Sequence, residues 1–349
     1  MNQKRQIGEA VVMTKQDSHA LRYVPVRPGS LSLYERETGA EGERVRGRLF
    51  REGRDYVVDW GEGRLRRTAD SRIPDWARHR FFGKGAFDQT GLNDYGNESF
   101  TVYADYDYDA GAAGGNEAAE EASATAASLL PGCDERHRMG LPITYVVYGD
   151  SISTGAEASH HRHSYSYRLY EQLKTLFPAS EIRYEMRAIG GETSMDGWKR
   201  LQRDVIPLKP HLITIAYGMN DANRLRGHVN EVPVSRFQSY IGEMIASLKE
   251  RTEADIILVT PCEPNPMWKF CSGEIHHYAE AMKETGMQYG VPVADVHTLW
   301  LEELGAGKTP ESLLLNNINH PNDYGHDIYT RALSRLLGME SGMRKEGES

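Results

Sequence analysis

Two rhythms of apolar and polar positions divide this chain. Over roughly the first 110 residues apolar and polar residues alternate in short stretches, GRLFREGRDYVVDW at 47–60 and ESFTVYADYDY at 98–108, separated by Gly, Pro, Asn and Asp. Period-two alternation between turn residues predicts strands with one buried face, and a succession of them predicts a β-sandwich of jelly-roll type. Further on, the apolar runs are PITYVVYG (142–149), EIRYEM (181–186), HLITIAYG (211–218), DIILVTP (255–261) and VPVADV (291–296). Such short, continuous runs suit strands buried on both faces. The stretches between them carry helical spacing. In SRFQSYIGEMIASLKE, Phe237, Tyr240, Ile241, Met244, Ile245 and Leu248 mark one face, and Ser235 with Gln238 reads as its capping box. Five strands alternating with helices predict a doubly wound α/β/α sandwich around a five-stranded parallel sheet.

The two rhythms meet at DAGAAGGNEAAEEASATAAS (109–128), which has no aromatic or branched aliphatic residue and reads as a linker or exposed loop. The expected organisation is a β-rich unit over 1–130, an α/β unit over 131–340 and a disordered tail over 341–349.

Composition narrows the function classes. With 349 residues, 39% of them hydrophobic, the chain can bury at least one full core. No stretch reaches the ~20 apolar residues of a membrane span, and MNQKRQIGEA lacks a signal-peptide centre, so the expected location is the cytoplasm, with no membrane partner. Cys133, Cys262 and Cys271 are too few for a disulfide scaffold and read as free thiols. The net charge is −9, and Glu52 interrupts the arginines of RVRGRLFREGR (44–54), which reads as a solvated strand face rather than a nucleic-acid surface. His160, His161 and His163, and the pair His276–His277, lack carboxylates or thiols at zinc-site spacing, so neither metal nor cofactor is expected. The N-terminal aromatics, among them Trp76, Phe81, Phe82 and Phe87, read as core or as a sugar-contacting face.

In an open parallel sheet the ligand crevice lies beyond the carboxyl ends of the strands. After the first run stands Gly149-Asp150-Ser151, which can expose a hydroxyl there. After the second come Gly190-Gly191, able to point a backbone N–H into the crevice. Gly218-Met219-Asn220-Asp221 after the third adds a carboxamide donor. The last element opens with His320-Pro321-Asn322, which sets an imidazole before a helix whose positive end keeps it neutral. Each feature alone is ordinary turn or cap chemistry. In this order, at these ends, they supply a nucleophile, oxyanion donors and a base, which is equipment for acyl transfer.

The ordered set resembles the SGNH hydrolase superfamily, the GDSL esterases and lipases, over roughly residues 140–338. The β-rich unit in front of it resembles the arrangement of two-domain carbohydrate acetylesterases. The resemblance implies a flavodoxin-like fold and a serine esterase without cofactor, acting on a small-molecule or carbohydrate ester. Ser151 would be the nucleophile, His320 the base, and Ser151 N–H, Gly191 N–H and the Asn220 amide the oxyanion hole. Asp150 and Trp268 are the candidate substrate contacts. The family's Asp-x-x-His pattern has Asn317 at its first position, so Asn317 is expected to orient His320 through its carbonyl, with Asp295 and Asp323 as other candidates. A lysophospholipase or thioesterase, and an inactive binding protein on the same fold, are the competing readings; the oligomeric state stays open.

Overall fold

The computed structural model describes residues 3–39, 44–109, 129–224 and 230–339. The sequence-predicted linker from 110 onward and the tail from 341 lie outside the described residues.

The N-terminal half is built from β1 (Gln3–Val12), β2 (His19–Ala20), β3 (Ser32–Thr38), β4 (Arg44–Phe50), β5 (Tyr56–Asp59), β6 (Arg64–Arg67) and β7 (Thr101–Asp109). They form two antiparallel sheets, ordered β1-β7-β3-β4 and β2-β6-β5. Val11, Leu33, Phe50, Leu65, Val102 and Tyr106 share the core of this sandwich-like unit. On the edge strand β4 the alternating Arg44, Arg46 and Arg48 pair with Glu98, Asp105 and Glu35 at 2.8, 3.0 and 3.3 Å, so these charges are answered within the fold. β7 departs from its predicted half-exposed pattern, because Thr101 to Tyr106 are all buried. Val102, Ala104 and Tyr106 face the sandwich core, whereas Tyr103 joins the core of the C-terminal half together with Ala10 and Tyr34. The second face of the strand is covered by the other half of the protein.

The C-terminal half is a five-stranded parallel sheet of β8 (Ile143–Gly149), β9 (Ile182–Met186), β10 (Leu212–Ala216), β11 (Asp255–Val259) and β12 (Val293–Ala294). Its order, β12-β11-β10-β8-β9, is the doubly wound 2-1-3-4-5 arrangement. The helices are α1 (Pro131–Arg138), α2 (Ser151–Thr154), α3 (Tyr165–Leu176), α4 (Ser194–Asp204), α5 (Val234–Arg251), α6 (Ile275–Tyr289), α7 (Val296–Gly305), α8 (Pro310–Leu313) and α9 (Asp323–Leu336). α5 packs between α4 and α6, and α9 packs on α3 and α7. The predicted apolar face of α5 is buried throughout, but the helix opens at Val234 behind Pro233 and has no side-chain cap, so Ser235 lies inside its first turn. Pro233 sets the entry with its own fixed φ of −56°.

Buried ion pairs join the halves. Glu303 receives Arg22 of the sandwich at 3.0 Å and Arg331 at 2.7 Å; Lys308 meets Glu9, and Arg36, stacked 4.0 Å from the Tyr103 ring, meets Asp323. Removing one member of such a pair strands a buried charge, which typically costs 3–5 kcal/mol. The expected result for Glu9→Gln is therefore a clear fall in denaturation midpoint, because Lys308 Nζ is left in the junction with the Ala10 carbonyl at 3.1 Å and no carboxylate.

Candidate active site

Three neighbouring strands deliver the site. Gly149 on β8 lies opposite Ala216 on β10, so these two strands end level, while β9 ends two residues earlier with Met186 opposite Val147. The sheet order reverses between β8 and β10, which is where open α/β sheets bind ligands. At Gly149 a Cβ would fall 2.4 Å from Ser153 Oγ and 2.5 Å from the Ala216 carbonyl, so only glycine fits this exit. Asp150 then caps α2, its carboxylate accepting from Ile152 N–H at 2.9 Å, and Ser151 takes the first helical position. Asp150 was expected to touch substrate. It is 3% exposed, and its carboxylate is committed to the cap. Burial pushes this carboxyl up to about 7, against the opposing pull of the Ile152 and Ser153 backbone donors.

The loop after β9 is fixed at both ends. Ile189 N–H donates to the Gly149 carbonyl at 3.0 Å, and a Cβ on Gly190 would stand 3.6 Å from Ser151 Cβ. Gly191 has φ +80° with open space where a Cβ would go, so backbone conformation rather than crowding selects glycine. A Thr193–Asp196 capping box then starts α4.

Asp221, which sequence reading left without a role, ties this loop to the next one. Its buried carboxylate accepts from Ser194 N–H at 3.0 Å, from Ser194 Oγ at 2.5 Å and from Gly218 N–H at 3.1 Å. Burial pushes it up to about 6. Asn220 stands next to it, with Nδ2 donating to the Glu192 carbonyl at 2.9 Å. That bond uses one of the two amide hydrogens and sets the plane of the group, which leaves the second to donate elsewhere.

His320 completes the constellation, with Nε2 2.9 Å from Ser151 Oγ. Its loop is organised by a residue the motif reading passed over. Asn316 Oδ1 accepts from Ile318, Asn319 and His320 N–H, each at 2.9 Å, and Leu315 N–H donates to the His320 carbonyl at 2.9 Å. An asparagine that gathers successive backbone donors is a turn device, and Asn316 preceding the Asx turn is the signal that could have been read. The sandwich clamps the same loop, since Asn97 Nδ2 donates to the Glu311 and Leu314 carbonyls at 3.1 and 2.8 Å. Asn97→Ala is expected to destabilise the protein by about 2 kcal/mol in urea unfolding, the usual scale for buried acceptors left unpaired.

Asn317 does not orient His320. Its φ is +59°, and its Oδ1 accepts from Asn97 Nδ2 at 3.2 Å and Asn265 Nδ2 at 2.9 Å. The carbonyl expected to hold the ring is thus occupied by two other amides. Asp295 caps α7 through Thr298 N–H and pairs with Lys283 at 3.4 Å; Asp323 holds Arg36, Ser159 and His163. Among the described residues no carboxylate meets the His320 ring. Burial lowers its pKa to about 4, the direction expected from sequence.

Trp268 is also reassigned. It is 4% exposed and lies in a satellite cluster with Phe87 and Ile318, its indole N–H donating to Gln89 Oε1 at 2.7 Å. The segment around Phe87 covers it, so it anchors the sandwich half instead of walling the crevice.

Ser151 and His320 thus stand within hydrogen-bond distance of each other at the switch point of a flavodoxin-like sheet. The model of the GDSL-like lipase/acylhydrolase family matches residues 147–328, more than half of the chain, and the chain belongs to that family and is an ester hydrolase. An acetylxylan esterase from Geobacillus stearothermophilus is 27% identical over 179 residues, 48% of this chain and 78% of that enzyme. Among solved structures, an acetylxylan esterase from the same organism covers 57% of this chain and 95% of its own, at 23% identity and a TM-score of 0.49. A two-domain esterase active on acetylated mannans, co-crystallised with mannopentaose, covers 62% of this chain and 55% of its own, at 21% identity and a TM-score of 0.49.

Proposed function

We propose that this ester hydrolase is a serine esterase that removes short acyl groups, acetyl above all, from a carbohydrate. The observation that carries the reading is the 2.9 Å contact between Ser151 Oγ and His320 Nε2 at the strand ends that also bear Gly191 and Asn220. Ser151 Oγ attacks the ester carbonyl while His320 Nε2 takes its proton. The tetrahedral oxyanion is met by the N–H groups of Ser151 and Gly191 and by the Asn220 amide. His320 then returns the proton to the leaving sugar hydroxyl, and water, deprotonated by the same ring, releases the acid from the acyl-enzyme. The acetylxylan esterase relative supports acetyl and sugar as substrate classes.

Release of acetate from acetylated xylan by the intact protein, with Ser151→Ala as blank, tests this reading. Hydrolysis of p-nitrophenyl octanoate in preference to the acetate would contradict it. Two further results are expected. Asn220→Ala should lower kcat by ~10²–10³ while KM changes little, the usual loss for one oxyanion donor. His320 works as a base only when neutral, and its lowered pKa keeps it neutral well below pH 6.5. kcat/KM should therefore hold through pH 5 and fall only as the pH approaches the ring's value of about 4. A descending limb centred near 6.5 would contradict the burial argument.

A further inference from the structure

A cleft of about 240 Å³ opens where the two halves meet. Trp76, Phe81, Phe82 and Phe87 of the sandwich half line one side, and Asn265, Met267 and Asn317 of the catalytic half line the other. We propose that this cleft is a subsite for a neutral polysaccharide chain, which it seats beside the loop that carries His320; the proposal rests on the carbohydrate reading of the active site.

Several features distinguish the cleft from leftover packing. Its aromatic wall is held rigidly against the catalytic half, because Phe87 N–H donates to the Met267 carbonyl and Lys269 N–H to the Phe87 carbonyl, both at 2.8 Å. Phe81 and Phe87 stack at 4.3 Å between centroids, while Phe82 and Met267 remain 36% and 42% exposed on opposite sides. The Phe82 ring is the aromatic surface left open to the C–H face of a sugar ring. The polar side is formed by Asn265 and Asn317, each 1% exposed, with Asn265 Nδ2 donating to Asn317 Oδ1 at 2.9 Å. Lys84 and Glu311 also line the cleft and carry opposite charge, which favours a neutral chain over an acidic one. The volume lies just below that of sites for drug-sized ligands, a size for one ring of a chain that continues into solvent.

Calorimetric titration of full-length Ser151→Ala with xylohexaose, mannohexaose, cellohexaose and polygalacturonate tests the proposal. At least one neutral hexaose should bind. Phe82→Ala and Met267→Ala, each in that background, should raise its Kd about tenfold, the scale of one lost stacking contact. Trp198→Ala should leave Kd unchanged, since that ring is 38% exposed but packs on Tyr240 and does not line the cleft. Absence of hexaose binding, a Kd insensitive to both cleft substitutions, or binding of polygalacturonate alone would each overturn the subsite. Hydrolysis of p-nitrophenyl acetate by the unsubstituted protein is read separately, so failure of the esterase reading and failure of the subsite give different results.

Discussion

Ser151→Ala is expected to lower kcat for p-nitrophenyl acetate by ~10⁴-fold or more, with the thermal midpoint unchanged. The size follows from what the hydroxyl does. In the proposed mechanism it is the atom that bonds to the acyl carbon, and without it the donors assigned at Gly191 and Asn220 can only favour attack by water. The lack of a stability effect follows from its surroundings. Ser151 Oγ has His320 as its partner, and the turn is held by Gly149 and the Asp150 cap, neither of which uses the hydroxyl. A large drop in midpoint would mean that the serine serves the fold and that the loss of rate says little about chemistry.

His320→Ala should cost nearly as much, and the double variant with Ser151→Ala should fall no further. Residues that act as a unit lose their combined effect when either is removed. The non-additivity is the informative part, because two independent contributions would multiply. Among the described residues no carboxylate stands beside the proposed base to stabilise the imidazolium, so the unsubstituted enzyme is expected to start from a lower rate and the drop to be smaller than for a complete triad. Burial of the ring works in the same direction: it keeps His320 neutral and ready to accept a proton, and it makes the protonated ring that follows more costly.

Much of this arrangement is legible in the sequence where local chemistry decides it. The five apolar runs became β8 to β12 within a few residues, since a strand buried on both faces needs an uninterrupted apolar stretch. Ser151, Gly191, Asn220 and His320 could be singled out because each stands in the segment after such a run or just before a helix. What escaped was decided by distant partners. Asn317 has the right spacing for an orienting residue, yet its carbonyl is claimed by Asn97, 220 residues away, and by Asn265. Trp268 follows a strand toward the crevice but is covered by a segment that arrives from the sandwich. β7 alternates as a half-exposed strand should, and its outer face disappears against a second core that the pattern of one strand cannot reveal.

The claim that Ser151 is made nucleophilic by His320 is met most directly by mass spectrometry after exposure to a fluorophosphonate. The expected outcome is one adduct per chain, mapped to the peptide containing Ser151 and absent from His320→Ala. Ester hydrolysis that persists while Ser151 stays unlabelled, or an adduct formed equally well without the imidazole, would contradict it.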